Sequence, residues 1–269
     1  MEEVKLRNAI SRKMMKLKNE LIKKNGIIPS ICYYYYLLNV VDYAGEDIVR
    51  ESFSSLANQD AEVIVACYRP TDNTKKLCEE FGFKYLYVED EPNISFAESK
   101  MRNKVIATTK ANFVIPVNIN VKYCEDLTEG IKSWIKRNDI KRHALCIRYK
   151  FQEPDGSIKD RMYGFSYVFY RPYLIHARGY DERTYYAAGS QRYGARLIKD
   201  IFELRPKVYV SNMFHKYHNN RKLVKFRLMY PDKTTQQLKR QAKRIVAKMI
   251  PELKADYFKN RHLVKNSYW

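Results

Sequence analysis

Residues 100–120 read Lys-Met-Arg-Asn-Lys-Val-Ile-Ala-Thr-Thr-Lys-Ala-Asn-Phe-Val-Ile-Pro-Val-Asn-Ile-Asn. Lys100-Met101-Arg102-Asn103 heads a helix expected over 96–109. Lys110-Ala111-Asn112 makes a short turn. The apolar run that follows predicts a buried strand over 112–117, because β-branched and aromatic residues fit a pleated surface. The strand runs out into Asn118-Ile119-Asn120. A helix feeding a buried strand across so short a turn is half of a βαβ unit.

Upstream, the same alternation repeats. Ile31-Cys32-Tyr33-Tyr34-Tyr35-Tyr36-Leu37-Leu38 predicts a buried strand, and residues 46–58 a helix with Ile48, Val49, Phe53 and Leu56 on one face. A strand is expected over 62–67, a helix over 71–81 closed by Gly82, and a strand over 83–88. Regular alternation of this kind means a mostly parallel sheet with right-handed crossovers. Ligands bind such sheets beyond the carboxyl ends of the strands. The loops after Leu38, Cys67 and Val117 are therefore the informative ones. Downstream, strands are expected over 143–151 and 165–170, with the turn Pro154-Asp155-Gly156 between them and a further strand at 208–211.

The ends of the chain differ in character. Val4, Leu6, Ile10, Met14, Leu17 and Leu21 fall at helical spacing with Lys and Arg between them, which predicts a basic amphipathic helix over 1–27. It either packs on the main domain or lies on an anionic membrane. The domain itself is expected over 28–225. A basic helical extension follows over 226–269, with Leu238, Ala242, Ile245, Val246 and Met249 on one face.

The 269 residues suffice for one sizeable core, and 45% hydrophobic content excludes a disordered chain. Tyrosine is abundant, 23 against 12 phenylalanines, which suits half-buried strands as well as stacking on a sugar or a base. Fifty Lys and Arg against 30 Asp and Glu give a net charge of +20. A field of that sign attracts phosphates, nucleic acid or an anionic membrane. Cys32, Cys67, Cys78, Cys124 and Cys146 are odd in number and form no CxxC pair, so neither a disulfide framework nor a zinc site is expected. No apolar run reaches the roughly 20 residues of a membrane span, and the N-terminus has no apolar signal core. The expectation is a cytoplasmic protein, either free or peripheral at a membrane surface.

Four landmarks between about 31 and 220 resemble family-two glycosyltransferases and their GT-A relatives. They are the βαβ opening, Pro70-Thr71-Asp72-Asn73-Thr74 after the second strand, Arg102-Asn103 ahead of Asn118-Ile119-Asn120, and Gly179-Tyr180-Asp181-Glu182 followed by Arg196-Leu197. The resemblance implies an α/β, Rossmann-like GT-A (nucleotide-diphospho-sugar transferase) fold: a mixed, mostly parallel central sheet flanked by helices. It implies transfer of a sugar from a nucleotide-sugar donor, UDP-sugar in many relatives, to an acceptor hydroxyl with inversion.

The resemblance also assigns residues. Asn39, Tyr68, Arg69, Asp72, Lys100, Arg102 and Asn103 fall on the donor side, and a guanidinium suits diphosphate oxygens because its donors form a fixed fork. Relatives carry Asp-x-Asp where this chain has Asn118 and Asn120. There the carboxylates hold Mn²⁺ or Mg²⁺, so the same place here is a weakened metal position that His215 or His218 would complete. Carboxylates that bind the uracil in relatives are replaced by Cys67 and Tyr68, which leaves stacking on Tyr68. The relatives' Glu-Asp pair is replaced by Ser190 and Gln191, so Asp181 and Glu182 are the candidates for the base that removes the acceptor proton. Three readings stay open: a glycosyltransferase acting on a glycan or lipid-linked acceptor, one acting on nucleic acid, and a catalytically degenerate GT-A domain that only binds.

Overall fold

The computed structural model describes residues 28–38, 45–68, 72–89, 98–153, 155–177, 179–180, 182 and 194–216. The expected helices over 1–27 and 226–269 lie outside them. The first half alternates as its sequence predicts: β1 (Ile31–Leu38), α1 (Glu46–Ala57), β2 (Glu62–Tyr68), α2 (Asp72–Glu80), β3 (Lys84–Val88), α3 (Glu98–Thr108) and β4 (Phe113–Pro116). There follow β5 (Val121–Lys122), α4 (Leu127–Arg137), β6 (His143–Gln152), β7 (Ile158–Tyr170), α5 (Arg171–His176), a π-helical turn (Leu197–Ile201) and β8 (Arg205–Lys216).

One eight-stranded sheet runs β3-β2-β1-β4-β7-β6-β8-β5. β3, β2, β1 and β4 are mutually parallel, whereas β7 pairs antiparallel with both β4 and β6. β8 runs parallel to β6. The chain moves outward from β1 to β3 and then crosses back to place β4 on the other side of β1. That reversal opens a crevice beyond the carboxyl ends of β1 and β4.

β1 explains why both faces of the sheet are dry. Successive side chains of a strand point to opposite faces. Cys32 and Tyr34 join Ile64, Ala66, Tyr68, Met101, Val105 and Ile106 under α3. Ile31, Tyr33, Tyr35 and Leu37 join Val49, Phe53 and Leu56 of α1 and Leu77 of α2. A strand covered on both sides reads as an unbroken apolar run, not an alternating one. Its buried tyrosine hydroxyls are satisfied: Tyr33 Oη bonds Thr128 Oγ1 at 2.9 Å, and Tyr35 Oη bonds Ser52 Oγ at 2.9 Å. α2 ends where Gly82 takes φ 68, a left-handed conformation that costs glycine little.

The second half departs from expectation in two ways. β7 and β8 are longer than the stretches 165–170 and 208–211: Lys159, Asp160 and Arg161 interrupt the apolar pattern of β7, and Arg205, Pro206 and Lys207 precede that of β8, while the pairing with β6 continues through both. α4 was not expected. Its signal is nonetheless present: Leu127, Ile131 and Ile135 recur every four residues and are all buried. All five cysteines are free thiols, and Cys32, Cys67, Cys78 and Cys146 are buried.

Candidate functional site at the sheet switch point

Beyond β4 a set of tyrosines gathers on the amide of Asn118. Val117 N donates to Tyr34 O at 3.0 Å, which carries the β1–β4 pairing one step past β4 and sets Asn118 near the end of β1. Tyr36 Oη donates to Asn118 Oδ1 at 3.4 Å, and Asn118 Nδ2 donates to the Tyr149 hydroxyl from β6. The Asn118 peptide is clamped as well. Its N–H donates to Tyr123 Oη at 2.7 Å, and that hydroxyl donates to Asn118 O at 3.0 Å. Burial, the largest influence on Tyr123, pushes its phenol well above the usual range. Tyr123 therefore stays a neutral donor and acceptor. Asn120 is 7% exposed two residues on.

The start of α3 forms the second wall. Arg102 is 2% exposed and Glu98, one turn earlier, 0%. Arg102 Nη2 and Nε donate to Glu98 Oε1 at 2.5 and 2.9 Å, and Nη1 donates to Tyr34 Oη at 2.9 Å. The guanidinium lies over the Tyr36 ring, 4.0 Å from its centre, and 5.1 Å from that of Tyr180. It is a caged cation: an ion pair on one side, π faces on the others. Burial works against the charge, but Tyr34 and Glu98 outweigh it and hold Arg102 protonated. Tyr180, buried in the same cage, has its phenol pushed up to about 12, mainly by burial.

Asn103 joins this wall to the segment 179–182. Its Oδ1 accepts from Tyr180 N at 2.7 Å, and its Nδ2 donates to Tyr180 O at 2.8 Å and to Glu182 Oε1 at 2.9 Å. One carboxamide thus fixes a backbone strand-like pair and a carboxylate together. Glu182 is exposed while its anchor is buried.

No family model and no curated protein matches the sequence. Solved structures do resemble the chain. S. aureus TarS 1–349 in complex with UDP-GlcNAc is similar at a TM-score of 0.58 and 15% identity, over 87% of this chain and 72% of that one. The longer S. aureus TarS structure is similar at 0.53 and 16% identity, over 88% of this chain and 46% of that one. The chain thus spans less than half of the longer TarS. Glucosyl-3-phosphoglycerate synthase from M. tuberculosis is similar at 0.49 and 16% identity, over 80% of each chain. This chain has the GT-A fold.

Within the GT-A frame the sequence-predicted residues fall into three groups. Arg102, Asn103, Asn118, Asn120 and Glu182 lie in the two walls just described. Lys100 stands half-buried in the first turn of α3, on the same side of the sheet edge. Tyr68 ends β2, but its ring is 0% exposed and packs in the core with Met101 and Val88, so it presents no face to a base. Asp72 begins α2 and His215 pairs with Val121 through the β8 backbone; the side chains of both lie outside the described residues. Asn39, Arg69, Asp181 and His218 lie outside them altogether.

Sequence reasoning missed Glu98, Tyr34, Tyr36, Tyr123, Tyr149 and Tyr180. Two signals were available. Glu98 precedes Arg102 by four residues, the spacing of an ion pair on one helix face. Tyr34 and Tyr36 alternate on β1, which puts both on the α3 side. Tyr149 carried no local signal, since it meets Asn118 only through the sheet; Tyr123 is five residues past Asn118, but no pattern in the sequence turns its hydroxyl back to that peptide. Among the described residues no helix is long and apolar enough to cross a membrane.

Proposed function

We propose that this chain is a glycosyltransferase that takes a sugar from a UDP-sugar and passes it to an acceptor hydroxyl with inversion. The observation that carries this reading is the convergence, at the switch point of a GT-A sheet, of Asn118, the start of α3 and the carboxylate of Glu182. The likeness to a TarS structure bound to UDP-GlcNAc supports the donor class.

In this reading the donor lies across the carboxyl ends of β1 and β4. Asn118, Asn120 and Lys100 face its diphosphate; Asn39 and Arg69, which follow β1 and β2 in sequence, and Asp72 are assigned to the donor by the family resemblance. Asn103 holds Glu182 by the carboxylate oxygen, and Glu182 takes the acceptor proton, with Asp181 beside it in sequence. Arg102 acts from beneath: it positions Tyr34, Tyr36 and Tyr180 and does not itself reach the phosphates, because it is 2% exposed and turned toward Glu98 and Tyr34.

Calorimetric titration with UDP, GDP and UDP-sugars tests the donor site, and release of UDP from a UDP-sugar tests turnover with water as acceptor. UDP is expected to bind. Glu182→Gln retains the acceptor oxygen for Asn103, so it is expected to leave UDP affinity unchanged while lowering turnover by about 10²- to 10⁴-fold, the usual range for a lost general base. Failure of every nucleotide to bind would sink the proposal.

A further inference from the structure

GT-A relatives that carry Asp-x-Asp at this position hold a divalent cation there, and the residues here do not fit one. A hard dication takes oxygen ligands and is held tightly only where carboxylates among them supply charge. All four residues at the expected metal position, Asn118, Asn120, His215 and His218, bring neutral donor atoms. The Asn118 carboxamide is occupied at both ends, with Nδ2 given to Tyr149 and Oδ1 receiving Tyr36 Oη at 3.4 Å. Its peptide is pinned by Tyr123, with Ser52 Oγ donating to Asn118 O at 3.5 Å, so the loop is not placed to turn another oxygen inward. Among the described residues, Glu98 gives Oε1 to Arg102, whose charge it balances, and Glu182 gives Oε1 to Asn103. Among the described residues, no three His, Cys, Asp or Glu side chains gather where they would hold a metal. The net charge of +20 repels a free dication and attracts a diphosphate.

We infer, building on the proposed donor site, that the nucleotide diphosphate is bound here without a divalent cation. The second amide hydrogen of Asn118 Nδ2, the Asn120 carboxamide and the Lys100 ammonium take the place of the metal. Oriented donors and a lysine stabilise phosphate charge in the same way that a cation does. The feature that distinguishes this site is that Asn118 and Asn120 add no negative charge where relatives place two carboxylates. Mn²⁺ would therefore gain only the ligands that UDP already offers it in water.

The test is the affinity of the full chain for UDP, measured by calorimetry in EDTA and again in millimolar Mn²⁺ at matched ionic strength. The expected affinities agree within about twofold. Tightening by more than threefold with Mn²⁺ overturns the inference while leaving the donor site standing. Absence of UDP binding in both conditions removes the donor site and the inference with it. The double variant Asn118→Asp/Asn120→Asp supplies the missing charge, and the Tyr149 hydroxyl can turn to donate to the new carboxylate. With its folding checked by thermal melting, it is expected to bind UDP at least tenfold more tightly with Mn²⁺ than without. If it folds and gains no such dependence, neutrality is not what excludes the ion and the inference fails. If it does not fold, the two wild-type titrations decide the matter.

Discussion

Replacing Glu98 by Gln isolates the charge of the caged ion pair. The amide keeps the carboxylate's shape and one acceptor oxygen, so the packing survives and the negative charge does not. Arg102 cannot shed its proton in response, because a guanidinium stays charged in proteins. The variant is left with a cation that is 2% exposed, two hydrogen bonds of 2.5 and 2.9 Å whose acceptor is no longer an anion, and a phenol at 2.9 Å as its other hydrogen-bond partner. Removing one member of a buried pair costs about 3–5 kcal/mol. That is a large share of the roughly 5–15 kcal/mol that holds a typical domain together. At about 2–4 °C per kcal/mol for a chain of this size class, the melting temperature falls by about 6–20 °C. Urea unfolding followed by tryptophan fluorescence measures the loss. The double variant Glu98→Gln/Arg102→Met removes both charges and is expected to recover at least half of it, a coupling that a double-mutant cycle reads directly. A single-variant loss below about 1 kcal/mol, the value of an exposed pair, would refute the caged-cation account. So would a double variant no more stable than Glu98→Gln.

Three further outcomes are expected. Asn103→Ala removes hydrogen bonds of 2.7, 2.8 and 2.9 Å that tie Tyr180 and Glu182 to α3. It should cost about 1–3 kcal/mol and speed amide exchange at Tyr180; unchanged exchange would show that the segment is held by other means. The Tyr180 phenol is raised to about 12 from an ordinary value near 10, and Tyr34 and Tyr35 are raised by burial as well. A raised folded value means that the stabilisation is complete below pH 10 and is lost as pH climbs from there through about 12. Urea midpoints should therefore be level from pH 8 to 10 with respect to these groups and fall above, and phenolate absorbance from them should appear only with unfolding. Burial also pushes the Cys32, Cys67, Cys78 and Cys146 thiols up, whereas Cys124 is only half-buried. A disulfide reagent at pH 8 should label Cys124 first, with the other four waiting on unfolding; rapid labelling of two or more would contradict that burial.

The alternation from 31 to 117 was legible because each element carries its own period and its own stop. β1 is an unbroken apolar run, α1 has one apolar face, and Gly82 takes the φ 68 that ends α2. Those signals are local, and local sequence determines them. The order of the elements also located the site, since a chain that reverses direction across β1 opens its crevice beyond β1 and β4. Charge was legible too: neutral amides at 118 and 120 announce a site unlike one built on carboxylates.

Only the tertiary structure decided what those residues touch. Arg102 was expected to face the nucleotide, yet its place one turn into α3 sets it in the core, against Glu98 and three tyrosine rings, Tyr34 and Tyr36 of β1 and Tyr180. Tyr68 was expected to stack on a base, but it sits on the inward-facing side of β2, under α3. Asn118 meets Tyr149 across 31 residues of sequence, and Asn103 meets Tyr180 across 77. A side chain's direction follows from strand pleat and helix phase, which sequence supplies, but its partner follows from which elements the sheet order brings alongside. Sequence patterns fix periodicity over a few residues; contacts between strands and helices far apart in the chain are set by the packing of the whole.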